Sequence, residues 1–146
     1  SHEPETHIIP LVLDAASGDR PDIKVFGTDY DTPDGSCIRD YIHVVDLALG
    51  HVAALNHCLN VPGTHIYNLG TGIGYSVLDM VKSFSKAMGR DLPYKFAPRR
   101  AGDVVDCYAD PSKAKKELGW EAKKTLDDMT RDSYNWQKNN PNGYEN

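Results

Sequence analysis

His65-Ile66-Tyr67-Asn68-Leu69-Gly70-Thr71-Gly72-Ile73-Gly74-Tyr75-Ser76 carries three structural signals in a row. Its apolar, aromatic start predicts a strand, and the three glycines predict a tight turn. Ser76, three residues before Asp79, predicts a capping box opening a helix that stops at Gly89. Strand, turn and helix in succession put the chain in the α/β class. The same succession marks dinucleotide sites, but the spacing here is GxGxG rather than GxGxxG, and no βαβ unit precedes it. A plain tight connection is therefore preferred over a cofactor cradle. Backbone amides at the start of the helix remain suited to an anion.

Toward the N-terminus, the apolar run in His7–Ser17 predicts a short buried helix with Pro10 early and Gly18 as its stop. After a turn over residues 19–22, Ile23–Phe26 reads as a strand. A loop of turn-forming residues follows over 27–36. Its three aspartates lack the distal Glu of a calcium loop. Cys37–Val44 predicts a second strand, with Arg39, Tyr41 and His43 on one face and Ile38, Asp40, Ile42 and Val44 on the other. Asp46 opens or caps a helix to about Leu59 whose apolar face is Leu47, Ala48, Val52, Leu55 and Leu59. His51 and His57 form no ligand pattern and read as surface or packing residues.

Toward the C-terminus, Leu92–Ala97 predicts a strand. Asp110-Pro111 starts a short helix ending at Gly119, and Thr125 with Asp128 boxes a final helix that ends before Pro141. On that last helix Leu126, Met129, Ser133 and Trp136 share a side. The tail over 139–146 is polar, and fraying is expected there.

The 146 residues fit one domain, and 40% hydrophobic with 25% charged content is ordinary for a folded protein. A net charge of −5 removes the general case for nucleic acid or an anionic membrane as partner. No apolar run approaches the roughly 20 residues of a membrane span. Cys37, Cys58 and Cys107 are far apart and form no CxxC, which fits reduced thiols and a cytoplasmic location. The N-terminus has neither a signal peptide nor an initiator Met, so a chain entered part-way is expected.

Chemistry concentrates in Pro98-Arg99-Arg100-Ala101-Gly102-Asp103-Val104-Val105-Asp106-Cys107-Tyr108. Guanidinium forks match phosphate or carboxylate, so the paired arginines read either as an anion clamp or as solvated surface ion pairs. Arg39 and Arg100, at two separate loop–strand junctions, form a natural grip for a diphosphate, and Phe26 suits a flat base. No GxSxG and no nucleophile–base pair is present. The residues describe a nucleotide-binding lobe without its catalyst.

Val25 to Gly35, Ile38 to Ala48, Ile66 to Gly72 with Gly74 to Val77, and the loop Ala97 to Asp103 together closely resemble UDP-glucose 4-epimerases, along essentially all 146 residues. That resemblance implies an extended short-chain dehydrogenase/reductase of the NAD-binding Rossmann superfamily. Residues 1–146 would be its C-terminal, UDP-sugar-binding portion, mixed in strands and helices. The NAD-binding Rossmann domain and the catalytic Tyr-x-x-x-Lys would lie upstream of this chain. The spacing does occur at Tyr134 and Lys138, but in the final helix, where it reads as chance. The complete enzyme would be a cytoplasmic homodimer interconverting UDP-galactose and UDP-glucose through a 4-keto intermediate. This chain alone would be inactive and would not bind NAD.

Carried over by position, the resemblance assigns His7, Ile8 and Ile9 to a nucleotide contact in which His7 replaces the family's Asn. Lys24, Val25 and Phe26 fall on the strand that holds uracil, largely through backbone. Arg39 and Arg100 match diphosphate ligands and Asp103 the ribose contact, while Ala101 replaces a common acidic residue. Cys107 falls in the sugar pocket, where a small side chain leaves room for an N-acetyl group. Phe26 and Cys107 also read as packing residues, and Arg99 as surface. Two further readings remain open: a non-catalytic UDP-sugar-binding module, and a related nucleotide-sugar dehydratase or decarboxylase.

Overall fold

The computed structural model describes residues 7–141 and 143. The expectations for residues 1–6 and, Gly143 apart, for the tail beyond Pro141 lie outside the described residues. Helix α1 (Ile8–Ser17) stops where Gly18 turns to φ 91°, a left-handed conformation that a Cβ would strain. Strand β1 (Ile23–Phe26) follows, then a loop, the two-residue strand β2 (Ile38–Arg39) and helix α2 (Val44–Asn60). Strand β3 (Tyr75–Ser76) runs directly into α3 (Val77–Met88). Next come β4 (Tyr94–Ala97), β5 (Asp106–Cys107), α4 (Ser112–Leu118) and α5 (Leu126–Asn139).

Two small sheets result. β1 pairs in parallel with β4, Phe26 opposite Ala97. β2 is central in the other, antiparallel to β3 and parallel to β5. The core forms where α1, α3 and α5 meet β1: Val12, Ala15, Ile23, Met80, Val81, Phe84, Leu92, Leu126 and Met129 are all buried together. Burying side chains of this size removes each from water at roughly 1.5–3 kcal/mol, the main force holding the three helices to the strand. Between α3 and α5 the polar residues Ser83 and Thr130 are also buried, and each satisfies the other at 2.8 Å, with Asp127 accepting from Ser83. Both capping boxes form as the sequence indicates, Ser76 with Asp79 and Thr125 with Asp128.

Three expectations need correction. The strand predicted over Cys37–Val44 pairs only at Ile38–Arg39; Asp40 N makes a last bond to Cys107 O at 3.1 Å, and its carboxylate accepts hydrogen bonds from the glycine turn. The next helix starts at Val44 rather than Asp46. His43 Nδ1 accepts from Val45 N at 3.1 Å and is the cap, while the Asp46 carboxylate accepts from Lys123 N and Lys124 N. The segment His65–Leu69 is extended but joins no ladder among the described residues. Its ties are to side chains, with Lys113 Nζ donating to Ile66 O at 3.0 Å, and Leu69 packs against Gly50. Small shifts also occur: β4 begins after Pro93, and Pro111 takes the cap position of α4 while Asp110 accepts from Ser112 N.

Helix α2 is held mainly from one side, where Trp120 Nε1 donates to Asp46 O at 3.0 Å. Its other side leaves Val44 (72% exposed) and Leu59 (75%) open, with Val52 and Leu55 between them.

Candidate functional site

The parallel register of β2 with β5 sets Arg39 opposite Cys107 and brings the loop after β4 back over the end of β1. Between these elements lies a cleft of about 180 Å³ lined by Ile8, Lys24, Phe26, Arg39, Arg100 and Asp103, with Cys37 and Tyr41 on the same wall. Six of the residues singled out in the sequence thus meet in one place. The other four sit differently. Val25 is wholly buried and does not line the cleft. Ile9 faces a second groove with Trp136, on the far side of α1. His7 precedes α1 at its N-cap position, and Cys107 is exposed on β5.

Asp103 organises the charges. Arg100 reaches it with both arms of its fork, Nε to Oδ2 at 3.2 Å and Nη2 to Oδ1 at 2.9 Å. Arg39 Nη2 approaches the same Oδ1 at 3.5 Å, while its Nη1 donates to Ile38 O and Val104 O at 2.7 and 3.0 Å. The bidentate bond to Asp103 pushes the Arg100 guanidinium further up from its ordinary value, so the group is cationic at any physiological pH. Arg100 also lies over the Phe26 ring, 5.5 Å from its centroid. Two cations from separate loop–strand junctions therefore share one carboxylate beside an aromatic face. A multiply charged anion placed there would find both forks.

Tyr41 and Cys37 were not assigned a role from the sequence, yet a signal for them existed. Cys37, Arg39 and Tyr41 alternate along one chain face, and all three line the cleft although only two residues of that run pair as strand. Burial pushes the Tyr41 hydroxyl up to about 12, with Cys37 adding to the shift and Arg39 opposing it. Asp34, read only as one of three loop aspartates, is the hinge between the loop and α3. Burial acts to raise its carboxyl, but bonds from Ser76 Oγ at 2.5 Å and from Ser36 N and Oγ hold it below the usual range.

The glycine turn already has its anion. Thr71 N, Gly72 N and Ala109 N all donate to the Asp40 carboxylate, at 3.0, 3.1 and 3.2 Å, and Thr71 Oγ1 donates at 2.6 Å. A Cβ on Gly70 would meet Asp40 Oδ2 at 2.4 Å, so the carboxylate fills the cradle. The residues of this turn do not fit a dinucleotide phosphate. Among the described residues, no group of three or more His, Cys, Asp or Glu is placed to hold a metal ion. No helix among them is long and apolar enough to cross a membrane.

Residues 1–133 match the family model described as GDP-mannose 4,6 dehydratase. The chain belongs to this family. Its high-identity relatives are UDP-glucose 4-epimerases. The chain is 57% identical to the Bacillus subtilis UDP-glucose 4-epimerase over 139 residues, covering 95% of this chain and 41% of that protein. The crystal structure of UDP-glucose 4-epimerase from Bifidobacterium longum, in complex with NAD+ and UDP, superposes with a TM-score of 0.89 at 55% identity. That match covers 94% of this chain and 41% of the other. A Stenotrophomonas maltophila UDP-glucose-4-epimerase with bound NAD and formylated UDP-arabinopyranose gives a TM-score of 0.90 at 42% identity, over 95% of this chain and 41% of that one. The fold is thus the α/β fold of these Rossmann-type, short-chain dehydrogenase/reductase relatives. The chain spans about 41% of the length of the relatives it matches.

Proposed function

We propose that this chain is the UDP-sugar-binding, C-terminal part of an NAD-dependent UDP-glucose 4-epimerase that interconverts UDP-galactose and UDP-glucose in the cytoplasm as a homodimer. One observation carries the reading: Arg39 and Arg100 converge on Asp103 in the cleft that Phe26 and Lys24 border. In this reading the diphosphate replaces Asp103 as the partner of both forks, each arginine taking phosphate oxygens bidentately. Asp103 is thereby released to accept from the ribose hydroxyls. Strand β1 pairs on one edge only among the described residues, and its free edge offers backbone groups to the uracil beside Phe26. The relatives with bound NAD and UDP support the same assignment of ligands to the complete protein.

NAD belongs to residues other than these, since the glycine turn is filled by Asp40. The Tyr-x-x-x-Lys spacing at Tyr134 and Lys138 lies on α5, where Tyr134 packs against the core, so it serves no proton transfer. This chain holds and orients the substrate, and alone it turns nothing over. On β5 the small, exposed Cys107 leaves space for an N-acetyl group, extending the substrate class to N-acetylated UDP-hexosamines.

Calorimetric titration of UDP into the complete protein tests the grip. Arg39→Ala and Arg100→Ala each weaken UDP binding by about 1.5–3 kcal/mol, the worth of a lost charged hydrogen bond. Unchanged affinity in both variants refutes the assignment.

A further inference from the structure

Arg99 stands beside Arg100 in the chain but serves a different partner. Its Nε donates to Asp29 Oδ1 at 2.7 Å and its Nη2 to Asp29 O at 2.5 Å. Its guanidinium lies 4.1 Å from the centroid of the Tyr30 ring. Space for this stack comes from Gly27, which sits at φ 81°. A Cβ there would meet Tyr30 Cε2 at 2.4 Å and Arg99 Cγ at 3.0 Å. The ring itself is buried, yet its hydroxyl has no hydrogen-bond partner. An unsatisfied buried hydroxyl costs stability, so the site retains the ring for the face it offers and not for the hydroxyl.

The position of this stack gives it leverage. The loop that carries Arg100 is fastened by backbone bonds at its two flanks, Gly27 N to Ala97 O on one side and Ile38 N to Val105 O on the other. Between them, the side chain that ties residues 98–102 across to the 27–36 loop is that of Arg99. Fixing Arg99 on Tyr30 and Asp29 therefore fixes the backbone from which Arg100 departs toward Phe26 and Asp103.

We infer that Arg99, clamped on Asp29 and Tyr30, is a positioning residue for the diphosphate grip: it sets the aim of Arg100 without touching the ligand. The inference rests on the nucleotide reading of the cleft above. It gives the exposed Arg99 a role that a surface ion pair does not have, and it gives Tyr30 and Gly27 one as well.

UDP and uridine titrated separately into the complete protein test it, because uridine lacks the phosphates that Arg100 would meet. Arg99→Ala weakens UDP binding about fivefold, the order expected for losing one exposed cation–π stack and ion pair, and leaves uridine affinity unchanged. Arg99→Lys, which keeps the charge without the fork, recovers part of that loss. Tyr30→Phe keeps full affinity, and adding Arg99→Ala to Arg100→Ala costs nothing further. Unchanged UDP affinity in Arg99→Ala overturns the inference. So does an equal loss for uridine, which would mark a general loosening of the loop, and so does full additivity in the double variant. Wild-type protein that binds UDP no more tightly than uridine sinks the nucleotide reading itself, and the inference falls with it.

Discussion

Replacing Asp40 tests how far one carboxylate holds this part of the chain together. It accepts four hydrogen bonds, three from backbone amides of two segments that are distant from it in sequence. In Asp40→Ala these donors do not all suffer equally. Gly72 N is on an exposed edge and can take water, and Thr71 Oγ1 can turn fully to Ile73 O, already 3.2 Å away. Thr71 N and Ala109 N are partly buried and lose a charged acceptor each. At about 1.5–3 kcal/mol per charged hydrogen bond, taken near the lower end because hydration is partial, the two losses sum to about 3 kcal/mol. Asp40→Asn keeps one accepting oxygen but turns an amide group toward the remaining donors, so about half that loss is expected. Equilibrium unfolding in urea reads both values from the midpoint at constant slope. A loss in Asp40→Ala below about 0.5 kcal/mol, the range of ordinary surface changes, would refute the view that the carboxylate satisfies the glycine turn.

Two further outcomes concern Tyr41 in the cleft and Cys107 on β5. Tyr41 has its ordinary pKa of 10 raised to about 12 by burial, so the neutral form favours the fold. That contribution is complete below pH 10 and is lost as pH rises toward 12. It amounts to about 2–3 kcal/mol over the interval, and Tyr41→Phe should flatten the fall in stability seen by alkaline titration of the unfolding midpoint. Replacing Cys107 with Tyr should lower turnover of N-acetylated UDP-sugars by the complete enzyme while sparing UDP-galactose; equal loss on both substrates removes the size-gauge role.

Local signals were legible in the sequence wherever a few neighbouring residues decide the outcome. The capping boxes at Ser76 and Thr125 and the stops at Gly18, Gly89 and Gly119 needed only sequence spacing, because each closes within one turn of helix. The alternation correctly put Arg39 and Tyr41 together in the cleft. His43, read onto the same face, instead lines the second groove with Ile42 and Val44, because the chain turns into α2 there and the strand is only two residues long. Non-local partners were not legible. Nothing near Asp40 in sequence announces that its carboxylate will quench the amides of Thr71, Gly72 and Ala109 and so fill the glycine turn. Asp46 shows the same limit, since Lys123 N and Lys124 N reach it from the far side of α4 and leave the capping of α2 to His43. The paired arginines stood as an open choice between ion pairs and anion grip. Both are in ion pairs, Arg99 with Asp29 and Arg100 with Asp103, and only Arg100 lines the cleft.

Both sheets join segments that lie far apart along the chain. Residues 27–93 separate β1 from β4, and residues 40–105 separate β2 from β5, each pair running parallel. Closing such long loops must precede any reward from the contacts they permit, so pairings of this contact order form late. The helices can take shape within their own turns, but the cleft lies at the seam between the two sheets. On the proposed function, nucleotide binding is therefore a probe of complete assembly: a chain with native helix content and unjoined strands would have no site to offer.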